Sequence, residues 1–505
     1  MMQLSLIPLI EQSDQKPVDL VYTSLSHDNV CPQTERLTLE KRYAVLLEES
    51  EEFNRKLVSY QANKGALVHG WIRYREGFSA QLVETLINKF NLTGTLLEPF
   101  AGSTTTLLVA KMLGINAVGI ELLPPCHLAW EAKSKIWDYD VEQLKQIYAQ
   151  LLETQPAESA DKFPHITITE SAFSRQNEND VMFYTDWFKQ LNLREPEKTL
   201  CQLVLTSILE DVSYTRKDGQ YLRWDYRALK VQNRNTLRQA LGKKQTKKID
   251  FGAIPTVKET LQRAFSTVIA DITYLQTRSL PQSRQTLLKG NTLLILPTLE
   301  ANQFAGVITS PPYCNRYDYT RTYALEIAYL QPKQALRDLR QSLLSCTVEN
   351  RPKLNLLKKH YQSVGQATRY QDILSVVQNN SVLKEINQAL QTRWQRGDMN
   401  NKGVLTMVEQ YFTELTFVFA EIFRTCQQGA IVAFVNDNVR YGGEIIPVDL
   451  LSTQLAETVG FEPIAVYVLP QRKGNSSQQM GKFGREALRK SITIWKKRAH
   501  SRFHG

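Results

Sequence analysis

Between Thr95 and Glu121 the chain spells out strand, turn, helix, strand. Thr95-Leu-Leu-Glu-Pro99 is a short apolar run stopped by proline. Thr105 to Leu113 places apolar residues at helical spacing and is followed by Gly114, a natural cap. Asn116-Ala-Val-Gly-Ile-Glu121 is a second short run. This is a βαβ unit, and joining two strands through a helix implies a parallel sheet covered by helices. Before it, Phe78 to Phe90 reads as an amphipathic helix with Ser79 at its N-cap. Far downstream, Ala305 to Thr309 is another apolar run, ending in Ser310-Pro311-Pro312-Tyr313. The prolines hold that strand end rigid, and in open α/β sheets ligands bind at the carboxyl ends of strands.

The remaining elements extend this sheet. Asn291 to Pro297 reads as a strand, Thr406 to Arg424 as a strongly striped helix, and Gly429 to Asn436 as a buried strand. Pro447 to Val459 reads as a helix ended by Gly460, and Pro463 to Leu469 with Ser491 to Trp495 as a closing strand pair. Residues 1–45 read as an irregular extension and 46–64 as a charged helix. The stretch 122–285 is too long for a simple connection, which argues for an inserted module. Residues 325–405 read as a second, helical insert or lid. The expected divisions are 1–45, 46–137, 138–286, 287–325, 326–405 and 406–505, the second, fourth and last forming one catalytic domain.

The chain has 505 residues, 42% hydrophobic and 22% charged, ample for a large core. It has no apolar stretch of about 18 residues, so no membrane span is expected. Met1 to Ile10 is apolar but lacks a basic start and is not read as a signal peptide. The six cysteines show no CxxC pair and the seven histidines no HExxH pattern, so neither a disulfide framework nor a metal is expected. A cytoplasmic setting fits.

The net charge of +10 is unevenly spread. Tyr214 to Lys248 holds eleven Lys/Arg against two Asp, and Lys482 to Gly505 holds eight against one Glu, leaving the remainder net acidic. Clustered basic charge is the footprint of a polyanion partner, or of a solvated basic face. Asp211 to Trp224 interleaves aromatic and basic residues around Gly219, which suits phosphate contact and base stacking.

Glu98-Pro-Phe-Ala-Gly-Ser-Thr-Thr-Thr106 lacks the GK[ST] ending of a phosphate loop. It is either a tight strand–helix turn or a place where backbone meets a ligand. Glu121, at the end of the next strand, is either an ordinary strand-end carboxylate or an acceptor for the ribose hydroxyls of a nucleoside cofactor. The two together favour a cofactor.

EPFAGSTTT, then AVGIEL, then TSPPY resembles the amino-group DNA methyltransferases, which use S-adenosylmethionine to modify N4 of cytosine or N6 of adenine. The resemblance covers roughly residues 66–137, 287–325 and 405–497. It implies an α/β, Rossmann-like class I methyltransferase sheet with inserted, largely helical DNA-recognition segments. It also implies cofactor contacts from Glu98, Phe100, Ala101, Gly102, Ser103, Glu121 and Asn291. Phe78 and Ser79 belong to the segment from His69 that would cradle the cofactor's methionine end. Two positions depart from the family pattern: Thr104 stands at a usual glycine and Asn291 at a usual aspartate.

Ser310 and the Pro311 carbonyl would accept the two hydrogens of a flipped base's exocyclic amine, with Pro312 stiffening the turn and Tyr313 stacking on the base. Serine at this position is commoner in the family for cytosine N4, so cytosine N4 is favoured over adenine N6. Methylation of RNA and a non-catalytic DNA-binding role with a degenerate loop stay open. Pro124-Pro-Cys126 resembles a carbon-5 methyltransferase nucleophile only superficially, since it directly follows the ribose-binding strand. Arg216, Lys217, Arg223, Trp224 and Arg227 are the candidate DNA contacts. Duplex DNA is the expected partner, and the family commonly works beside a cognate restriction endonuclease. Arg472 to Gln479 reads as a polar loop near the site.

Overall fold

The computed structural model describes residues 25–26, 28–218, 221–331, 335–470, 483–484 and 486–498. The first residues of the N-terminal extension, the loop Arg472 to Gln479 and the end of the basic tail lie outside the described residues.

In chain order the elements are α1 (Thr34–Tyr43), β1 (Leu47–Glu49), α2 (Ala80–Lys89), β2 (Leu96–Glu98), α3 (Thr105–Met112), β3 (Ala117–Glu121) and α4 (Pro124–Lys133). Then come α5 (Val141–Glu153), α6 (Arg175–Gln190), α7 (Glu195–Ile208), β4 (Thr215–Asp218), β5 (Tyr221–Trp224), α8 (Leu229–Ala240) and α9 (Val257–Gln276). The sheet resumes with β6 (Gln285–Lys289), α10 (Thr292–Ile295) and β7 (Phe304–Thr309). Six helices follow: α11 (Tyr319–Thr322), α12 (Ala324–Leu330), α13 (Ala335–Ser342), α14 (Leu354–Ser363), α15 (Ala367–Asn379) and α16 (Ser381–Gln395). The chain closes with α17 (Gly403–Thr425), β8 (Cys426–Asp437), β9 (Val439–Tyr441), β10 (Glu444–Ile446), α18 (Val448–Val459), β11 (Phe461–Val468) and β12 (Lys490–Lys497).

The central sheet has eight strands in the order β1-β11-β12-β8-β7-β2-β3-β6. All pairings are parallel except those of β12, which runs antiparallel to both neighbours. From β2 the chain builds outward through β3 to β6, then returns to lay β7 on the other side of β2. The order therefore reverses between β2 and β7, where a crevice opens at the carboxyl ends of both strands. This is the doubly wound, Rossmann-like sheet expected from the βαβ pattern.

Local chemistry explains the elements. The Ser79 hydroxyl accepts from Leu82 N at 3.1 Å and starts α2, which buries Leu82, Val83, Leu86 and Ile87 against the sheet. Gly114, at φ +73°, ends α3. α17 is buried on nearly every face because α15, α16 and α18 pack around it. The insert carrying α5 to α9 is no separate body. One apolar cluster runs from Leu108 of α3 and Leu128 and Ala132 of α4 through α5, α6, α7 and α9 to Ala324 and Leu325 of α12.

Three expectations change. Residues 46–64 are not a helix: β1 pairs in parallel with β11, and turns follow. Ser50 Oγ accepts from Phe53 N at 3.0 Å and Asn54 Oδ1 from Lys56 N at 3.0 Å, local bonds that compete with helix formation. Asn291 to Pro297 is helical rather than a strand, because Asn291 caps it by accepting from Leu293 N at 3.0 Å. The strand is β6, just upstream, in register with β3 from Ala117–Gln285 to Glu121–Lys289, so the sheet resumes before residue 287. Finally, the N-terminal extension contains α1, whose Arg36 is fully buried and paired with Glu385 and Glu444. No helix among the described residues is long and apolar enough to cross a membrane.

Candidate active site and nucleic-acid interface

β2 and β7 are neighbours, with Leu96 opposite Gly306 and Leu97 opposite Val307. Their shared edge therefore carries both Glu98 to Gly102 and Ser310 to Tyr313. A cavity lies there, at the strand ends where ligands bind in open α/β sheets. Phe78, Phe100, Ala101, Gly102, Ser103, Glu121, Asn291, Ser310 and Pro312 line it, joined by Tyr74, Glu76, Tyr319 and the end of α13. Glu98, Ser79, Pro311 and Tyr313 are not among its lining residues.

Glu98 sits beneath the glycine turn as a brace. Its carboxyl accepts from the Thr106 hydroxyl at 2.9 Å and from Phe100 N at 3.4 Å, tying the end of β2 to the start of α3. Burial pushes its pKa up to about 8. Ser79 is spent on capping α2.

The turn itself is tightly specified. Gly102 has φ +50°, and a Cβ there would stand 2.7 Å from Cε1 of Tyr74. Thr104 also adopts a positive φ, +66°. A left-handed non-glycine residue costs about 1–2 kcal/mol. Thr104 is held there by its amide, which donates to Ala101 O at 2.8 Å, and by its hydroxyl, which donates to Ser103 O at 2.6 Å. The loop thus keeps a glycine-like backbone without the glycine. Fully buried Lys133 of α4 donates to Ser103 O at 3.1 Å, and burial lowers its pKa to about 8.

Glu121 closes the turn from the neighbouring strand. One oxygen accepts from Gly102 N at 2.6 Å, the other from Leu122 N at 2.9 Å and Leu123 N at 2.7 Å. A carboxylate offers about four acceptor sites, so one stays open toward the cavity. Burial raises its pKa to about 7 against the pull of those three bonds.

Glu76 was missed from the sequence, although it lies in the flagged segment and precedes a glycine. It lines the cavity and is half-buried, and its oxygens accept from the hydroxyls of Tyr317 and Tyr323. Tyr323 stacks on Tyr74 at 5.2 Å. Among the described residues the cavity therefore presents two carboxyls, Glu76 and Glu121, and no Lys or Arg. Aromatic walls, an open carboxylate site and acidic lining fit a cationic nucleoside such as S-adenosylmethionine, whose sulfonium and ammonium outweigh its carboxylate.

On the β7 side, the Ser310 hydroxyl donates to the Tyr313 hydroxyl at 3.1 Å. Lys490 was also missed; only the sheet brings its ammonium to 5.1 Å from the Tyr313 ring. Cys126 is buried in α4, and burial raises its thiol well above the ordinary range, which disfavours a nucleophilic thiolate.

The predicted DNA contacts divide. β4 and β5 pair antiparallel, with Arg216 opposite Arg223 and Lys217 opposite Leu222. Lys217 points inward, paired with Glu326 and with Glu210 at 3.5 Å. Arg216 donates to the carbonyls of Ser213 at 3.0 Å and Thr215 at 2.7 Å and stacks on Phe251. Arg227 grips Asp225 at 2.7 and 2.9 Å and lowers its pKa to about 2 against the effect of burial. These three spend their charge inside the protein. Arg223 is exposed and Trp224 half-buried under the Lys230 ammonium. Beyond them, α8 has no buried residue; it carries Lys230, Arg234 and Arg238, and an exposed run from Lys243 to Lys248 follows.

No family model matches the chain. It is 56% identical over 477 residues to the Type II methyltransferase M.BsoBI of Geobacillus stearothermophilus, covering 94% of each chain. It is 36% identical over 471 residues to the Type II methyltransferase M.AvaI of Anabaena variabilis, covering 91% of this chain and 92% of that one. It is 27% identical over 165 residues, 32% of its length, to the Type II methyltransferase M.MjaII of Methanocaldococcus jannaschii.

Proposed function

The chain belongs to the Type II DNA methyltransferases, and from that premise we propose that it methylates the exocyclic N4 amine of a cytosine within a short specific sequence. S-adenosylmethionine is the methyl donor, and its sulfonium supplies the activated methyl group. Such an enzyme is the modification arm of a restriction–modification system, and we assign it a cognate endonuclease as partner.

The observation that carries the reading is the meeting of two sequence-distant turns in one cavity, glycine loop and Glu121 on one side, Ser310 and Pro312 on the other. Glu121 offers its remaining acceptor site to a ribose hydroxyl, and the Asn291 amide, whose oxygen caps α10, offers its NH2 to the adenine edge. Glu76 places negative charge where the cationic end of the cofactor would lie. Phe78 and Phe100 supply apolar walls, and Ala101 and Ser103 the backbone of the cradle, with Glu98 bracing it from below.

Ser310 and the Pro311 carbonyl take the two amine hydrogens of the flipped base. This draws the nitrogen out of conjugation and turns its lone pair toward the methyl group. Stacking on Tyr313 helps hold the base, worth ~1–3 kcal/mol. A neutral serine suits the less basic cytosine amine, which supports N4 over adenine N6. The DNA backbone is met by Arg223, Trp224, the exposed cations of α8 and the Lys243 to Lys248 run.

The test is methylation of duplex DNA with radiolabelled cofactor, followed by digestion to nucleosides. Label in 4-methylcytosine is expected, and label in 6-methyladenine would overturn the base assignment. Ser310→Ala is expected to lower turnover by about 100-fold or more while cofactor binding, read by calorimetry, stays within about twofold. Turnover near wild type would remove Ser310 from the chemistry.

A further inference from the structure

Just beyond Tyr313 the chain is pinned from several sides. Asn315 N donates back to Tyr313 O at 2.7 Å, and Asn315 Oδ1 accepts from Tyr317 N at 3.1 Å. The Tyr441 hydroxyl of β9 donates to Cys314 O at 2.7 Å. The Cys346 thiol donates to Tyr317 O at 3.3 Å, and the Tyr317 hydroxyl donates to Glu76. Cys314, Asn315 and Tyr317 are each fixed by a bond within the protein.

Arg316, in their midst, is the exception. Its backbone stands at φ +66°, in the left-handed region. Arginine has no short polar side chain to bond locally in that conformation, so the fixed neighbours impose it. The side chain is half-buried, and its Nε is shut off from solvent without a hydrogen-bond partner. Among the described residues the guanidinium enters no ion pair. Acids are not lacking nearby. Asp318, two residues on, is taken by Arg340 at 3.0 Å, and Arg321 of the same stretch lies 3.5 Å from Glu349. A cation without a carboxylate, carrying a donor sealed from water, is unfavourable until an anion meets it. Two anions come to this site, the cofactor's carboxylate and the phosphates of DNA. Arg316 is not among the residues that line the cofactor cavity, which favours the phosphates. The planar guanidinium fork also matches a phosphate with two parallel bonds.

We propose that Arg316 binds a phosphate flanking the flipped nucleotide and so positions its base between Ser310 and Tyr313. A nucleotide flips about its own backbone, and a phosphate clamped beside it keeps the base within reach of the turn. This rests on the reading that Ser310 to Tyr313 hold the base.

The experiment uses the full chain and a duplex oligonucleotide carrying the sequence at which the wild-type enzyme deposits label. Arg316→Gln should weaken DNA binding about tenfold and reduce the slope of log affinity against log salt by about 1. Cofactor binding, read by calorimetry, should stay within about twofold. The melting temperature should stay within about two degrees, since the guanidinium has no partner in the folded chain to lose. Arg316→Lys should restore the salt slope but only part of kcat, because an ammonium keeps the charge and loses the fork. Neutral methylphosphonates placed singly at the phosphates flanking the target nucleotide locate the contact. One of them should weaken wild-type binding about tenfold and weaken Arg316→Gln less than about twofold further. Wild-type DNA affinity and salt slope in Arg316→Gln would overturn the proposal. So would losses from Arg316→Gln and from every methylphosphonate that simply multiply. Lost cofactor binding in a folded Arg316→Gln would overturn it by placing the guanidinium on the cofactor's carboxylate, and a large fall in melting temperature by making the residue structural. An active Ser310→Ala beside an Arg316→Gln weak in DNA binding would sink the Ser310 reading and leave the phosphate contact. An inactive Ser310→Ala beside an unimpaired Arg316→Gln would sink the inference alone.

Discussion

Single residues in this site carry functions that their identity only partly announces. Glu121 looked like a ribose acceptor, yet in the folded chain it already accepts three backbone amides and keeps one site open. Its raised pKa makes a pH prediction with a definite sign. Below about 7 the carboxyl is protonated, and above it the carboxylate is the stronger acceptor for a ribose hydroxyl. Cofactor affinity should therefore rise as pH increases from 6 to 8. In Glu121→Gln the rise should vanish and affinity at pH 8 should fall about tenfold, as calorimetry at the two pH values would report. The same raised pKa, from an ordinary 4.5 to about 7, means that the contribution of this group to stability is lost as pH rises through that window. Thr104 offers a second lesson at this scale. A departure from the glycine pattern leaves the turn in its glycine-like form, because two hydrogen bonds hold the threonine at positive φ.

At the scale of elements, the basic segment separates into an inward hairpin and an outward helix. The hairpin's Lys217 neutralises Glu326 and Glu210 inside the protein. Lys217→Met would leave those carboxyls buried without their cation, so thermal unfolding should report a loss of about 3–5 kcal/mol. α8 predicts the opposite behaviour. Arg234 is exposed, Arg238 half-exposed, and the helix buries nothing. The double variant Arg234→Ala/Arg238→Ala should leave the melting temperature within about a degree, since exposed positions contribute little. It should weaken DNA binding at all sequences alike and reduce the slope of log affinity against log salt by about 2. Unchanged DNA affinity in a titration across salt concentrations would exclude α8 from the interface. The charge count alone could not make this division, because whether a basic side chain faces solvent or a buried carboxylate depends on partners far away in the chain.

At the scale of the whole molecule, the switch between β2 and β7 turns two turns into one site. α1 is stitched to the far end of the chain through Arg36 with Glu444 and through Glu40 with Arg489. The βαβ unit, the Ser79 cap, the helix before β8 and the closing strand pair were all legible, because period and capping are local properties of a segment. The stretches 46–64 and 291–297 were misread where serine and asparagine side chains captured nearby amides, a competition that composition does not resolve. Glu76, which meets Tyr317 and Tyr323, and Lys490, which meets Asp437 across two strands, were invisible because their partners are distant in the sequence. By itself the sequence determined the parallel α/β plan, the glycine turn, the Ser-Pro-Pro-Tyr strand end and the clustering of basic charge, since each rests on residues close together in the chain. Only the tertiary structure decided which cations face solvent, which carboxyls line the cavity and which partner the Ser310 hydroxyl meets. Burial and charge pairing arise from long-range packing, and no local segment contains that information.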